Sequence, residues 1–131
     1  MNQNTGIEKN KRIYLYALLI GYACLLMFFC TKSSPLYIIN DWYDANAYFT
    51  MGKGTMNGAV PYRDLFDHKG PLLYLLYGIG YLIDSTGFFG IFLIQSIFMS
   101  LTMIFCYKIA KLYIDNYFHA IIISMSLWGL T

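Results

Sequence analysis

The chain has 131 residues, of which 58% are hydrophobic and 12% charged, about half of the ~25% charged fraction of an ordinary soluble domain. Its thirteen tyrosines and ten phenylalanines supply more apolar and aromatic surface than a soluble domain of this size can hide, and the same composition excludes a disordered chain, a collagen and a disulfide scaffold. A formal charge of +2 is too small for a nucleic-acid-binding surface, so composition points to an integral membrane chain.

Residues 1–12 read as a polar tail carrying Lys9, Lys11 and Arg12. The charge-free run Ile13 to Cys30, 18 residues, approaches the ~20 residues that span ~30 Å of hydrocarbon, and a first transmembrane helix is placed at 13–31. This apolar run exceeds the usual 7–15-residue core of a signal peptide. Cys30-Thr31-Lys32 is not an A-x-A cleavage site, so the run reads as an uncleaved anchor. A second charge-free run, Phe88 to Tyr107, has 20 residues and predicts the second span at 88–107. Residues 108–116 form the following loop.

A third apolar run, 117–131, is broken only by His119 and has no polar exit after its 15 residues. It is expected to be a third span cut short, the sequence then being a fragment; a short native protein with a buried C-terminus is the alternative. Cys24, Cys30 and Cys106 lie in apolar context without metal-ligand spacing and read as small packing residues.

Between the first two spans, Pro71 to Ile83 is an apolar stretch of 13 residues, roughly 20 Å as a helix and too short for an untilted span. Tyr74, Tyr77 and Tyr81 fall at i, i+3 and i+7 and share one helical face. A tyrosine stripe beside leucines predicts a helix lying at the membrane surface, hydroxyls toward the headgroups; a short span packed among other helices is the second reading. Placement of Lys and Arg favours the first. With Lys9, Lys11 and Arg12 cytoplasmic, Lys108 and Lys111 return to the cytoplasm only if Pro71–Ile83 does not cross. The expected architecture is therefore all-α and polytopic, a multi-pass cell-membrane protein with a cytoplasmic N-terminus and one large extracytoplasmic loop, residues 32–87.

That loop concentrates charge. Residues 32–69 hold Asp41, Asp44, Asp64, Asp67, Lys32, Lys53, Arg63 and Lys69, eight of the sixteen charged residues, together with His68. Asp41 to Met56 reads as a short helix with Asp41, Asp44 and Tyr48 on one face and with Ala45, Phe49 and Met56 on an apolar flank. Carboxylates at i and i+3 suit a divalent metal or a general base, whereas Asp41 alone suits a helix cap. In Pro61-Tyr-Arg-Asp-Leu-Phe-Asp-His-Lys-Gly-Pro-Leu72, Gly70-Pro71 starts the next helix with proline at its first position. This fixes His68 and Lys69 at a helix N-terminus, where free amides, the dipole and a lysine make a phosphate site. The competing reading is a solvated loop with Arg63–Asp64 or Asp67–Lys69 ion pairs.

The run Asp44-Ala-Asn-Ala-Tyr48, then Gly58-Ala-Val-Pro-Tyr-Arg-Asp-Leu-Phe-Asp-His-Lys-Gly-Pro-Leu72 and an aromatic-rich short helix, resembles the first outer loop of the GT-C superfamily of membrane glycosyltransferases. It is most similar to the branch of protein O-mannosyltransferases and aminoarabinose transferases. The resemblance covers roughly residues 10–125 and matches only the amino-terminal portion of such an enzyme. It implies transfer of a sugar from a polyprenyl-phosphate donor, among membrane lipids, to an acceptor at the outer membrane face. It further implies Asp44 as catalytic base, with Lys69, Arg63, Tyr48 and His68 binding substrate. Lys69 matches the lysine of the family's KPPL motif and would hold the lipid phosphate. The family's second acid is replaced by Ala45, which leaves Asp41 for that role. Asp41, His68 and Asp67 are the candidates for a divalent metal ion, and metal dependence is left open because His68 stands where some relatives have glutamate. Gly70 replaces the first proline of the motif. Two other readings compete: a non-enzymatic membrane protein or inactive remnant, and a transporter subunit. The transporter is disfavoured because its polar groups belong inside the spans, where this chain has few.

Overall fold

The computed structural model describes residues 3–126, with side chains from 10 to 126. Five helices account for most of this length: α1 Gln3–Cys30, α2 Tyr43–Met56, α3 Pro71–Ile83, α4 Phe89–Tyr113 and α5 Tyr117–Ser126. No strand occurs among the described residues. The last five positions of the expected third span lie outside them.

Two helices are long and apolar enough to cross a membrane, Asn10–Cys30 with mean hydropathy 2.2 and Phe89–Tyr113 with 2.0. Only 11% and 28% of their most apolar stretches are buried within the protein, whereas the core helix of a soluble protein is mostly buried. Leu18, Leu25 and Phe29 on α1, and Ile97, Phe98 and Phe105 on α4, are exposed and need lipid or protein cover. The charge-free run that predicts the second span ends at Tyr107. The helix instead continues through Lys108 and Lys111 to Tyr113, which leaves only residues 114–116 between α4 and α5. Long lysine stems lie along an apolar helix while the ammonium seeks the polar boundary, so two lysines do not stop it.

The chain divides into two compact units, Met1–Leu26 with Ile97–Thr131, and Met27–Ser96. In the first, Leu19, Tyr107, Ala110 and Ala120 form the buried cluster, packed by Leu15, Tyr16, Ile121 and Met125. Asn116 starts α5 by accepting the Phe118 amide at 2.9 Å through Oδ1, the usual bond of an N-cap side chain.

The second unit is built on the packing of α2 against α3. Gly52 makes this contact possible: a Cβ there would lie 2.5 Å from the Gly78 amide nitrogen and 2.7 Å from the Tyr77 carbonyl carbon. Rings close the remainder, Tyr48 on Tyr77 with centroids 5.6 Å apart and Phe49 on Tyr81 at 6.0 Å. Helix α2 ends in a Schellman turn, with Gly58 at φ 92, its amide on the Thr55 carbonyl at 3.1 Å and the Ala59 amide on the Gly54 carbonyl at 3.0 Å. Only glycine takes that backbone conformation without strain.

Three expectations about this unit are revised. Helix α2 begins at Tyr43, with Trp42 as its N-cap and no side-chain cap bond. Asp41 therefore neither caps the helix nor shares a helical face with Asp44. Asn40 opens the turn instead, accepting the Trp42 amide at 3.1 Å, while Asn46 donates to the Asn40 and Trp42 carbonyls at 2.8 and 2.9 Å. The tyrosine stripe of α3 does share one face, but that face meets protein: Tyr74 is fully buried and Tyr77 nearly so. The surface left open on α3 is aliphatic, with Leu72, Leu75, Ile79 and Leu82 exposed.

Helix α3 spans Pro71–Ile83 as its proline and length predict, with Pro71 in its first turn. Its N-cap Gly70 has φ −72 and ψ 150, values a proline would also adopt, so the glycine does not loosen the turn. After α3, the Asp84 carboxylate accepts the Thr86 amide and hydroxyl and the Gly87 amide, each at 3.1 Å. These donors, the Thr86 amide foremost, hold its pKa below the ordinary value.

Candidate functional site

Residues 59–70 connect α2 to α3 through a tightly tied loop. Tyr62 occupies the left-handed region at φ 68, which is strained for a bulky side chain. Its amide bonds the Leu65 carbonyl at 2.7 Å, and its hydroxyl donates to the Lys69 carbonyl. Asp64 accepts the Val60 amide at 2.8 Å and takes a forked contact from Arg63 at 2.8 and 2.7 Å. The Arg63 guanidinium, followed by the Val60 amide, holds the Asp64 carboxyl below its usual range. Arg63 is in turn pushed further up. This is one of the two ion pairs considered for a purely structural loop. The other is replaced, because Asp67 pairs with His68, Nδ1 to Oδ1 at 3.0 Å.

Asp67 is the least exposed carboxylate in these pairs: its side chain is 14% exposed against 80% for His68. Its Oδ1 also accepts the His68 amide at 2.7 Å, while Oδ2 is buried without a well-formed hydrogen bond. The His68 amide leads in depressing the Asp67 pKa; burial opposes it, and the Tyr74 hydroxyl nearby assists.

Tyr74 lies beneath the loop from the first turns of α3. Its hydroxyl oxygen accepts the Lys69 amide at 3.0 Å, and its ring lies 6.1 Å from that of Tyr62. Burial, with Asp67 adding to it, pushes its pKa up to about 12. The phosphate cradle expected at the start of α3 is thereby reduced. Tyr74 takes the Lys69 amide, the Leu73 amide bonds the Gly70 carbonyl at 3.1 Å, and proline has no N–H to offer.

The loop and α2 together wall an open cleft of ≈ 680 Å³, to which Asp44 and Tyr48 contribute from α2 and Asp67 and His68 from the loop, with Met51 and Leu65 among the apolar walls. Asp44 sits in the first turn of α2. Its charge is felt beneath the cleft, where Tyr77 is pushed up in pKa by burial first, then by Tyr48 and by Asp44. Of the residues selected from sequence, four therefore converge: Asp44, Tyr48, Asp67 and His68. Three do not line the cleft. Asp41 is held by Lys32 at 3.1 Å, whose ammonium lowers its pKa. Arg63 is committed to Asp64, and Lys69 is exposed beside the cleft.

The expected metal candidates Asp41, Asp67 and His68 do not come together. Asp41 is drawn away to Lys32, and among the described residues no three His, Cys, Asp or Glu side chains come close enough to share an ion. Sequence reasoning missed Tyr74 and Tyr62 as supports of the site. Tyr74 belonged to a stripe assigned to the lipid surface, and Tyr62 carries no pattern that announces a left-handed residue. Comparison of the chain with protein families, curated proteins and solved structures finds no match.

Proposed function

We propose that the chain serves as the amino-terminal region of a GT-C-like membrane glycosyltransferase, moving a sugar from a polyprenyl-phosphate donor to an acceptor at the outer membrane face. The observation that carries this reading is the convergence of Asp44 and Tyr48 with Asp67 and His68 on one cleft. Transfer to a hydroxyl needs a base for the acceptor proton and a donor or cation for the departing phosphate. In this reading Asp44 takes the proton as the acceptor oxygen attacks the anomeric carbon. The bond from that carbon to the phosphate oxygen breaks, and the phosphate leaves with the electron pair. His68, oriented by Asp67, and Lys69 next to it face the phosphate. The exposed aliphatic surface of α3 supports placing the cleft at headgroup depth, where a lipid-linked phosphate resides.

The test is the Asp44→Asn variant of the protein as the cell makes it, assayed in membranes with a polyprenyl-phosphate hexose. Asparagine keeps the shape and removes the base, so transfer falls by about 10²–10⁴-fold while membrane insertion is unchanged. Transfer at the wild-type rate removes Asp44 from the mechanism.

A further inference from the structure

The first compact unit holds a second cleft, unrelated to the one containing Asp44. It measures ≈ 220 Å³ and is lined by Lys11, Arg12, Leu15, Tyr16, Tyr107, Lys111 and Tyr117. Three of these seven are cationic, three are tyrosines, and none is acidic. Leu15, Tyr16 and Tyr107 also belong to the unit's apolar cluster. The cleft therefore opens where the apolar packing of α1, α4 and α5 gives way to charge. Lys11 and Arg12 lie near the start of one membrane-length helix and Lys111 near the end of the other, the depth at which bilayer headgroups lie against such helices.

Lys111 is held in place. Its ammonium donates to the Asp115 carbonyl at 2.6 Å and stands 4.0 Å above the Tyr117 ring. An ammonium has three donors, and the carbonyl takes one of them. A side chain already fixed in position loses less freedom on binding. Asp115 contributes its backbone carbonyl, and its carboxylate does not line the cleft. The neighbouring Lys108 points elsewhere, over the Phe105 ring at 5.7 Å. The volume is below the ~300–1,000 Å³ typical of small-molecule pockets and suits a phosphate with a short substituent.

We propose that this cleft binds the phosphate of an anionic phospholipid headgroup. Basic pockets between membrane helices recognise such headgroups by charge and hydrogen bonds together, and the tyrosine hydroxyls supply the second part. A general excess of positive charge at the span ends would make Lys108 and Lys111 equivalent, whereas only Lys111 lines the cleft.

The full chain in detergent is mixed with phosphatidylglycerol or phosphatidylcholine, and retained lipid is measured by native mass spectrometry. Phosphatidylglycerol is retained preferentially. Lys111→Gln lowers its occupancy about fivefold, the effect of one lysine at a lipid surface, Lys111→Arg restores most of it, and Lys108→Gln changes it little. Phosphatidylcholine is unaffected throughout. Equal losses in the Lys108 and Lys111 variants, or none in the latter, overturn the site. Millimolar inorganic phosphate leaves the lipid bound; displacement overturns the lipid as the source of the phosphate and assigns the cleft to the soluble ion.

Discussion

The Tyr74 hydroxyl ties the buried side of the loop to α3. It accepts the Lys69 amide at 3.0 Å and stands close enough to Asp67 to assist in lowering that carboxyl's pKa. Tyr74→Phe keeps the ring and removes the oxygen, leaving a backbone donor without its partner at a cost of about 1–3 kcal/mol. The variant is expected to lose hydrogen-exchange protection at the Lys69 amide while α2 keeps its own. Unchanged protection would mean that the loop stands without Tyr74. The same hydroxyl gives a pH dependence with a definite sign. Its folded-state pKa is about 12 against an ordinary 10.0, so the folded chain holds the proton more tightly than the unfolded chain. The contribution is complete below pH ~10 and is lost as pH rises through the folded-state value.

At the scale of helices, the α2–α3 contact depends on an absent side chain. A methyl group on Gly52 would meet backbone atoms of Tyr77 and Gly78 at 2.5–2.7 Å, and backbone cannot rotate aside as a flexible side chain does. Gly52→Ala is therefore expected to destabilise this unit by about 1–3 kcal/mol, read as a lowered melting temperature of the purified protein. Gly21→Ala on α1, where a Cβ meets nothing within 4 Å, is expected to be neutral or stabilising. If both variants melt alike, Gly52 is not the point of closest approach. The contrast also shows what could be read in the sequence. Gly70-Pro71 announced the start of α3 because the reason is local, and the spacing of Tyr74, Tyr77 and Tyr81 announced a shared face because helical geometry is local. What covers that face was not legible: it depends on Gly52, Tyr48 and Phe49 arriving from a separate segment. Asp44 and His68 were likewise legible as types, but their sharing of a cleft follows from how the loop folds back. The departure of Asp41 to Lys32 follows from turn bonds around Asn40 and Asn46 that no periodicity encodes.

For the whole molecule, glycosyl transfer requires that the segment joining the two membrane-length helices face outward. The apolar lengths of α1 and α4 and the lysines near their ends support this placement through the positive-inside rule. Ser85, between α3 and α4, and Asp115, between α4 and α5, are both exposed and flank a helix long enough to cross. In a background with Cys24, Cys30 and Cys106 replaced by alanine, Ser85→Cys is expected to react with a membrane-impermeant maleimide in intact cells, and Asp115→Cys only after permeabilisation. The reverse pattern would put Asp44 and His68 in the cytoplasm, on the wrong side for an outward-facing lipid-linked donor. Reaction of both thiols in intact cells would mean that α4 does not cross at all. The reversed pattern removes the glycosyltransferase reading, even where Asp44→Asn abolishes some other activity, because a base and a phosphate partner serve this reaction only on the side where donor and acceptor meet.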